Sequence, residues 1–415
     1  MRRGVGATPH SAASATAPIQ RAVQTPSAAP QKLAQSRTSD AGCTTLLSPV
    51  SIGQVGTFSG VAGTITAGAR AAMAVWAQDV NARGGLACHP VRLYAEDDGG
   101  DPAQAAAAVK DLVGRHHVVA LVGDIVLFSI GGFLPAITEA RIPAVGGDTA
   151  ATEWFTSPWM FPQGDSIDDQ AKSIVEAGVA AGHKKLGFLY CVEVSACGYL
   201  DKKFFHDGEA QAAGAQPVYD SPVSLTQPDF TAQCLNARNA GVDLLGLALD
   251  GSAIARLGRS CAAIGYRPLL AGGALEFNLK QLEDPNIRAF GMVSGSPVAP
   301  WMALDTPAAQ AFHVALRRYA PDVMADGVTM LAWTSGKLLE AAVEKLSPVE
   351  RAGELSTEQI LAGLGRIHNE TLGGLTGPLT FTLGEQHAVS SGCNYFERLG
   401  PDGWTTPTGS KPVCG

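Results

Sequence analysis

Few side chains in this chain of 415 residues stand where they can do chemistry, and those few suit holding a molecule better than changing one. Ser129 and Thr149 fall at the C-terminal ends of two expected strands, where a hydroxyl meets whatever sits above the sheet. Asp148, Asp250 and Glu276 occupy similar turns and can accept from an ammonium or hydroxyl group, while Phe128 and Phe277 can wall off an apolar part. Ligand capture needs little more than donors for an anion, an acid for a cation and apolar walls. Each residue also has a plainer use. Thr149 or Asp148 can cap a helix, Asp250 and Glu276 can be solvated loop acids, and the phenylalanines can be ordinary packing.

Patterns for catalysis are missing. No nucleophile stands beside a base, and the Ser59-Gly60 turn has no positioned histidine. Gly84-Gly85 and Gly146-Gly147 lack the G-x-G-x-x-G spacing of a dinucleotide site, and no G-x-S-x-G elbow occurs. Glu96-Asp-Asp98 reads as an acidic strand-end turn rather than a metal site. His116-His117 reads as a solvated pair without a Cys or acidic partner at ligand spacing. The chain is therefore expected to be no enzyme and to need no cofactor or metal. The rival from that class, a nucleotide-dependent enzyme on a doubly wound fold, would require a phosphate-cradling turn.

What must position the strand-end residues is an alternation of strands and helices. Residues 49–56 read as a strand running into Thr57-Phe-Ser-Gly60, with a helix over about 65–81 that Arg83-Gly-Gly85 stops, and 89–94 as the next strand. Asp101-Pro102 opens a helix ending near Val113; strands at 118–122 and 142–145 flank a helix at 130–140. A second series has strands at 185–190, 216–219, 243–249 and 268–271, with helices at 168–181, 199–213, 229–239 and 253–264. A strand feeding a helix and returning to a parallel strand is a βαβ unit, and its strand-to-helix turns are where such folds place ligands. Two consecutive series imply two α/β lobes. The Gly/Ser/Pro-rich stretch 291–300 suits a crossover. Helices at 307–319, 327–346 and 356–365 have no sheet of their own and should return to cover the first lobe, so that the chain crosses three times before a last β segment that includes 395–399.

The totals agree with two cores, since a single core stops growing near about 250–300 residues. A net charge of −8 with no dense Lys/Arg stripe argues against a nucleic-acid partner. No apolar run approaches the roughly 18 residues of a membrane span. Residues 1–42, rich in Ala, Ser, Pro, Gln and Thr, read as a flexible tail, and no apolar signal-peptide core follows Met1-Arg-Arg3.

Eight cysteines, none in a C-x-x-C pair, read as disulfides and hence as an oxidising, extracytoplasmic compartment. Sequence does not fix connectivity, but local position favours Cys43 with Cys88 before neighbouring strands and Cys191 with Cys197 around a short loop. It also favours Cys234 with Cys261 on successive helices and Cys393 with Cys414 around the C-terminal segment. Buried free thiols in a cytosolic protein are the alternative. A lipidated Cys43 after Ala41-Gly42 would leave an odd number of thiols.

In order and spacing, several segments resemble the branched-chain amino-acid-binding class of type I periplasmic binding proteins, the solute receptors of ABC importers. They are Ile52-Gly-Gln-Val-Gly-Thr-Phe-Ser-Gly60, Asp79-Val-Asn-Ala-Arg-Gly-Gly85, His89-Pro-Val-Arg-Leu93 and Glu96-Asp-Asp98 with Asp101-Pro-Ala-Gln104. Ala140-Arg-Ile-Pro-Ala-Val145, Cys261-Ala-Ala-Ile-Gly-Tyr-Arg-Pro268 and Gly377-Pro-Leu-Thr-Phe381 complete the set, which covers about residues 49–400. The resemblance implies an α/β fold of two Rossmann-like, doubly wound lobes joined by a three-strand hinge that bends to close on a ligand. The expected division is a tail over 1–48, an N-terminal lobe of 49–164 plus 296–378, and a C-terminal lobe of 165–295 plus 379–415.

The same resemblance implies a monomer that captures a small polar or amphipathic molecule (amino-acid-like, an amide or an aromatic acid) and delivers it to an ABC importer's permease. A ligand-sensing receptor domain of the same fold is the alternative. Carried over position by position, the turn that holds an α-carboxylate is Gly123–Ser129, where Ser129 is the one hydroxyl, and Gly147-Asp-Thr149 matches the turn that follows. The second-lobe aromatic falls to Tyr199 or Tyr190, and the ammonium-binding acid to Glu276 or Asp250. With the carboxylate turn altered, an amino-acid ligand is in doubt.

Overall fold

The computed structural model describes residues 43, 45–273, 276, 283–384 and 388–415. The first sheet is built from β1 (Val50–Gly56), β2 (Val91–Asp97), β3 (Leu121–Asp124), β4 (Ala144–Gly147) and β5 (Met160–Phe161), all parallel, in the order β2-β1-β3-β4-β5. Helices α1 (Gly60–Ala82), α2 (Pro102–Gly114), α3 (Ile130–Ala140) and the short α4 (Glu153–Thr156) connect them. Local chemistry sets these ends: Asp101 caps α2 through the N–H groups of Ala103 and Gln104, with Pro102 at the first helical position.

The second sheet contains β6 (Lys185–Cys191), β7 (Gln216–Val223), β8 (Leu244–Ala248), β9 (Leu269–Gly273), β10 (Met292–Ser296), β11 (Cys393–Gly400), β12 (Gly403–Thr405) and β13 (Val413–Cys414). Its order is β12-β11-β10-β9-β8-β6-β7, with β13 on β11, and it is parallel from β7 to β10. Between its strands lie α5 (Ile167–Ala180), α6 (Ser195–Asp201), α7 (Glu209–Ala212), α8 (Thr231–Asn239), α9 (Gly251–Ala263) and α10 (Pro285–Phe290). Both sheets run outwards from an inner first strand, so each has a switch point, between β1 and β3 and between β6 and β8. Crevices for ligands open at the carboxyl ends of strands there.

The remaining helices are α11 (Pro307–Tyr319), α12 (Gly327–Glu344), α13 (Pro348–Ala352) and α14 (Thr357–Leu364). As expected, α11, α12 and α14 return to the first sheet: Ile52, Trp76, Phe312, Trp333, Leu338 and Ile360 share one core. Gly336 permits that packing, since a Cβ there would come within 2.5 Å of the Trp76 ring. Buried Glu340 joins α12 to α1, accepting from Trp76 Nε1 at 2.8 Å, from Arg83 at 3.0 Å and from Lys337 at 2.7 Å.

Two local expectations are corrected. The stretch read as a crossover contains β10, a fully buried interior strand of the second sheet. Its small residues serve close packing, because a Cβ on Gly295 would lie 2.7 Å from Ile174 of α5; the crossover itself starts at Pro297. The helix expected over 199–213 is instead α6, a π-helical turn over Lys202–His206 and α7, with Gly208 at φ +91° breaking it.

The chain passes between sheets after β5, after β10 and before β11. Asp165 binds the first and third passages together, accepting from Ser391 N at 2.7 Å, Ser391 Oγ at 2.8 Å and Asn394 Nδ2 at 3.3 Å. Val298 and Thr376 pair the second and third. The cysteines form Cys43–Cys88, Cys191–Cys197, Cys234–Cys261 and Cys393–Cys414, the set favoured by position.

Candidate functional site

Three strand-end turns of the first sheet are fastened by one buried acid. Asp98, after β2, accepts from Thr57 Oγ1 at 2.7 Å, Ser129 Oγ at 2.6 Å and Gly100 N at 2.8 Å. A second buried acid, Asp148 after β4, accepts from Val126 N at 2.7 Å, Ala150 N at 3.0 Å and Trp154 Nε1 at 3.1 Å. Burial raises its pKa against those bonds. The result is a rigid rim on which Leu127 and Phe128 project far enough to pack against the core of the second sheet.

Between that rim and the second sheet lies a cavity of about 190 Å³. The first sheet contributes Ile125, Leu127, Phe128, Asp148 and Ala150, from the turns after β3 and β4. The second contributes the carboxyl ends of β6, β8 and β9 with the turns that follow, through Cys191, Val194, Leu249, Asp250, Gly273 and Glu276. From there the cavity continues over the sheet face beneath α5, past Ile174 and Val175, to Leu186, Phe188 and Phe204. Gln170 of α5 stands in the lining where the two sides meet, its Nε2 bonded to Asp165 O at 3.0 Å and directed at Thr149 Oγ1 at 3.5 Å.

The polar groups of the lining are mostly engaged. Asp250 caps α9, accepting from Ala253 N at 2.8 Å and Ser252 Oγ at 3.1 Å. Glu276 is half-exposed as a residue, but its carboxyl turns inward, takes a bond from Gly273 N at 3.0 Å and has its pKa pushed well up by burial. Apolar side chains make up the rest, an arrangement suited to enclosing a molecule rather than attacking it.

The model of the family described as periplasmic binding protein matches residues 49–400. The chain belongs to that family. An amino acid binding protein of Pseudomonas aeruginosa is 27% identical over 183 residues, which take in 41% of this chain and 45% of that protein, less than half of the relative's length. Among solved structures, a possible leucine/isoleucine/valine-binding protein from Rhodopirellula baltica is similar with a TM-score of 0.70 at 19% identity, over 86% of this chain and 96% of that one. A fatty acid ABC transporter substrate-binding protein from Thermomonospora curvata gives 0.73 at 17% identity, over 89% and 93%.

In this periplasmic binding protein the residues singled out from sequence are placed as follows. Phe128, Asp148, Asp250 and Glu276 are brought together in the lining. Ser129 and Thr149 are fully buried beside it, Ser129 spent on Asp98 and Thr149 held at φ +54°. Tyr199 lies outside the lining with its hydroxyl donating to Asp168 at 2.8 Å, and Tyr190 stacks on Phe188 from outside it. Phe277 lies outside the described residues. His116, read as lacking an acidic partner, has Asp111 at 3.6 Å, and Glu96 joins them within 4.8 Å. Arg115 already pairs with that Asp111 oxygen at 2.6 Å. Leu127, Ile174 and Phe204 were not anticipated, because apolar lining and apolar core look alike in sequence, and nor was Gln170, since nothing in the sequence of its helix marks the face turned to the cavity.

Proposed function

We propose that this chain is the extracytoplasmic solute-binding protein of an ABC importer, monomeric and without enzymatic activity, which hands its cargo to a permease. The observation that carries this reading is the cavity itself, bounded by strand-end turns of both sheets at their switch points. In this reading residues 49–164 with 296–378, and 165–295 with 379–415, are two lobes. Bending at the three passages near Asp165, Pro297 and Thr376 admits the ligand, and closure lets both lobes contact it at once. Four disulfides agree with an oxidising compartment. Among the described residues no helix is long and apolar enough to cross a membrane. The relatives' names point to amino acids and fatty acids as cargo for those proteins.

The test is a thermal-shift screen of amino acids, amides, aromatic acids and acyl compounds. A true ligand at 100 times its Kd should stabilise the protein by about 2.7 kcal/mol and be recovered chemically unchanged. Turnover of any bound compound, or no stabilisation by any class, overturns the reading.

A further inference from the structure

The second sheet is not filled evenly. In its register Leu186 pairs with Leu244 and Leu244 with Leu269, a row of three leucines at the amino ends of β6, β8 and β9. The next row on the same face is Phe188, Gly246 and Ala271, and beyond it Tyr190 pairs with Ala248 and Gly273 with Gly295. Residues paired across a parallel sheet point to one face and alternate residues return to it. One face thus carries large side chains at its amino end and almost none towards the cleft on β8 and β9. On the opposite face Leu245 and Leu270 fill an ordinary core. Over the small residues Ile174, Val175, Leu200 and Phe204 form a roof, Phe204 from the π-helical turn. Such turns are rare and recur at functional sites. The hollow beneath this roof is continuous with the interlobe cavity.

We infer that the ligand carries an extended apolar body that lies in this trough, with a neutral hydrogen-bonding head left at the cleft between Gln170 and Asp250. The inference rests on the solute-binding reading and specifies its cargo. Apolar walls on all sides of the trough reward each buried methylene. The ionisable groups among the described lining residues are Asp148, Asp250 and Glu276, with no cation among them to pair a free carboxylate head, so the lining suits an amide or hydroxyl.

Calorimetry with straight-chain primary amides of four to eight carbons tests this. Affinity should rise about fourfold per added methylene until the trough is full. In Ala248→Leu, and in Ala271→Leu should the first not fold, the rise should stop at a shorter chain than in the wild type. The wild-type ladder needs no variant. No dependence on chain length, with tight binding of a short polar compound such as leucine, overturns the trough and leaves the solute-binding reading standing. Alkanoates that bind more tightly than amides of equal length overturn the neutral head. No binding by any compound class brings down both.

Discussion

The two sheets share a strand order and differ in how they are filled. Over the first, α1, α11 and α12 interlock through Trp76, Phe312 and Trp333, with Gly336 pressed against the Trp76 ring. Over the second, α5 and the π-helical turn arch above Gly246, Ala248 and Ala271 and leave space. Topology alone therefore decides where a crevice can open, and side-chain size decides which lobe is hollow. A doubly wound sheet needs both faces covered, but covering is not the same as filling.

The largest expected effects come from exchanging these conditions. Trp333→Ala in the solid lobe should destabilise by about 3–5 kcal/mol, the cost of a large cavity in a packed core. Gly336→Leu should fail to fold or lose as much, because its Cβ would meet Trp76 at 2.5 Å. Ala248→Leu places similar bulk in the hollow lobe and should change stability by less than about 1 kcal/mol. Urea titration of the three variants reads the difference. Equal losses for Gly336→Leu and Ala248→Leu would abolish the distinction between a solid and a hollow lobe.

Much of the first half of this contrast was legible in the sequence. Periodicity and capping residues placed α2, α3, α11 and most strands, and helices left without a sheet had one place to go. The cysteines paired as their positions at neighbouring strand starts, around a short loop, on successive helices and around the C-terminal segment favoured. What escaped was the meaning of small residues. Gly295 within β10 reads as loop chemistry until the packing of Ile174 is known, and Gly246 with Ala271 means nothing until register sets them in one row. The site was half legible for the same reason. Strand-end acids such as Asp148 and Asp250 are visible from position, whereas a lining of Ile174, Leu200 and Phe204 has the composition of any core.

Buried acids sharpen the comparison. In the solid lobe Glu340 is opposed by burial, yet Lys337 and Arg83 hold its pKa below the usual value. In the second sheet Glu397 takes one weak bond from Trp301 N at 3.3 Å, and burial raises it to about 8. The signs are opposite. Glu340 contributes stability that is present at neutral pH and lost as pH falls through its depressed folded value. Glu397 binds a proton in the folded state that the unfolded chain releases near its ordinary value of 4.5, so its contribution is complete below that and lost as pH rises to about 8. Between those limits it should cost on the order of 1 kcal/mol per pH unit. Glu397→Gln should flatten stability over that window and leave the acid limb unchanged. Identical pH profiles for wild type and variant would mean that Glu397 is ionised in the fold.

The smallest expected effects separate residues that shape the cavity from those that touch its contents. Ser129→Ala removes one donor from Asp98, which keeps Thr57 and Gly100, so the loss should be about 1 kcal/mol of stability with ligand affinity unchanged within twofold. Gln170→Ala should do the reverse, because Gln170 faces the cavity from α5 and reaches towards Thr149 of the opposite lobe. It should weaken ligand binding by about tenfold, as loss of one hydrogen bond does, and barely move the melting temperature. Measured together by calorimetry and melting, the pair assigns the rim to structure and the lobe junction to recognition. A Ser129→Ala variant that loses affinity while keeping its melting temperature would return that hydroxyl to the site and move the polar end of the ligand from the second sheet to the first.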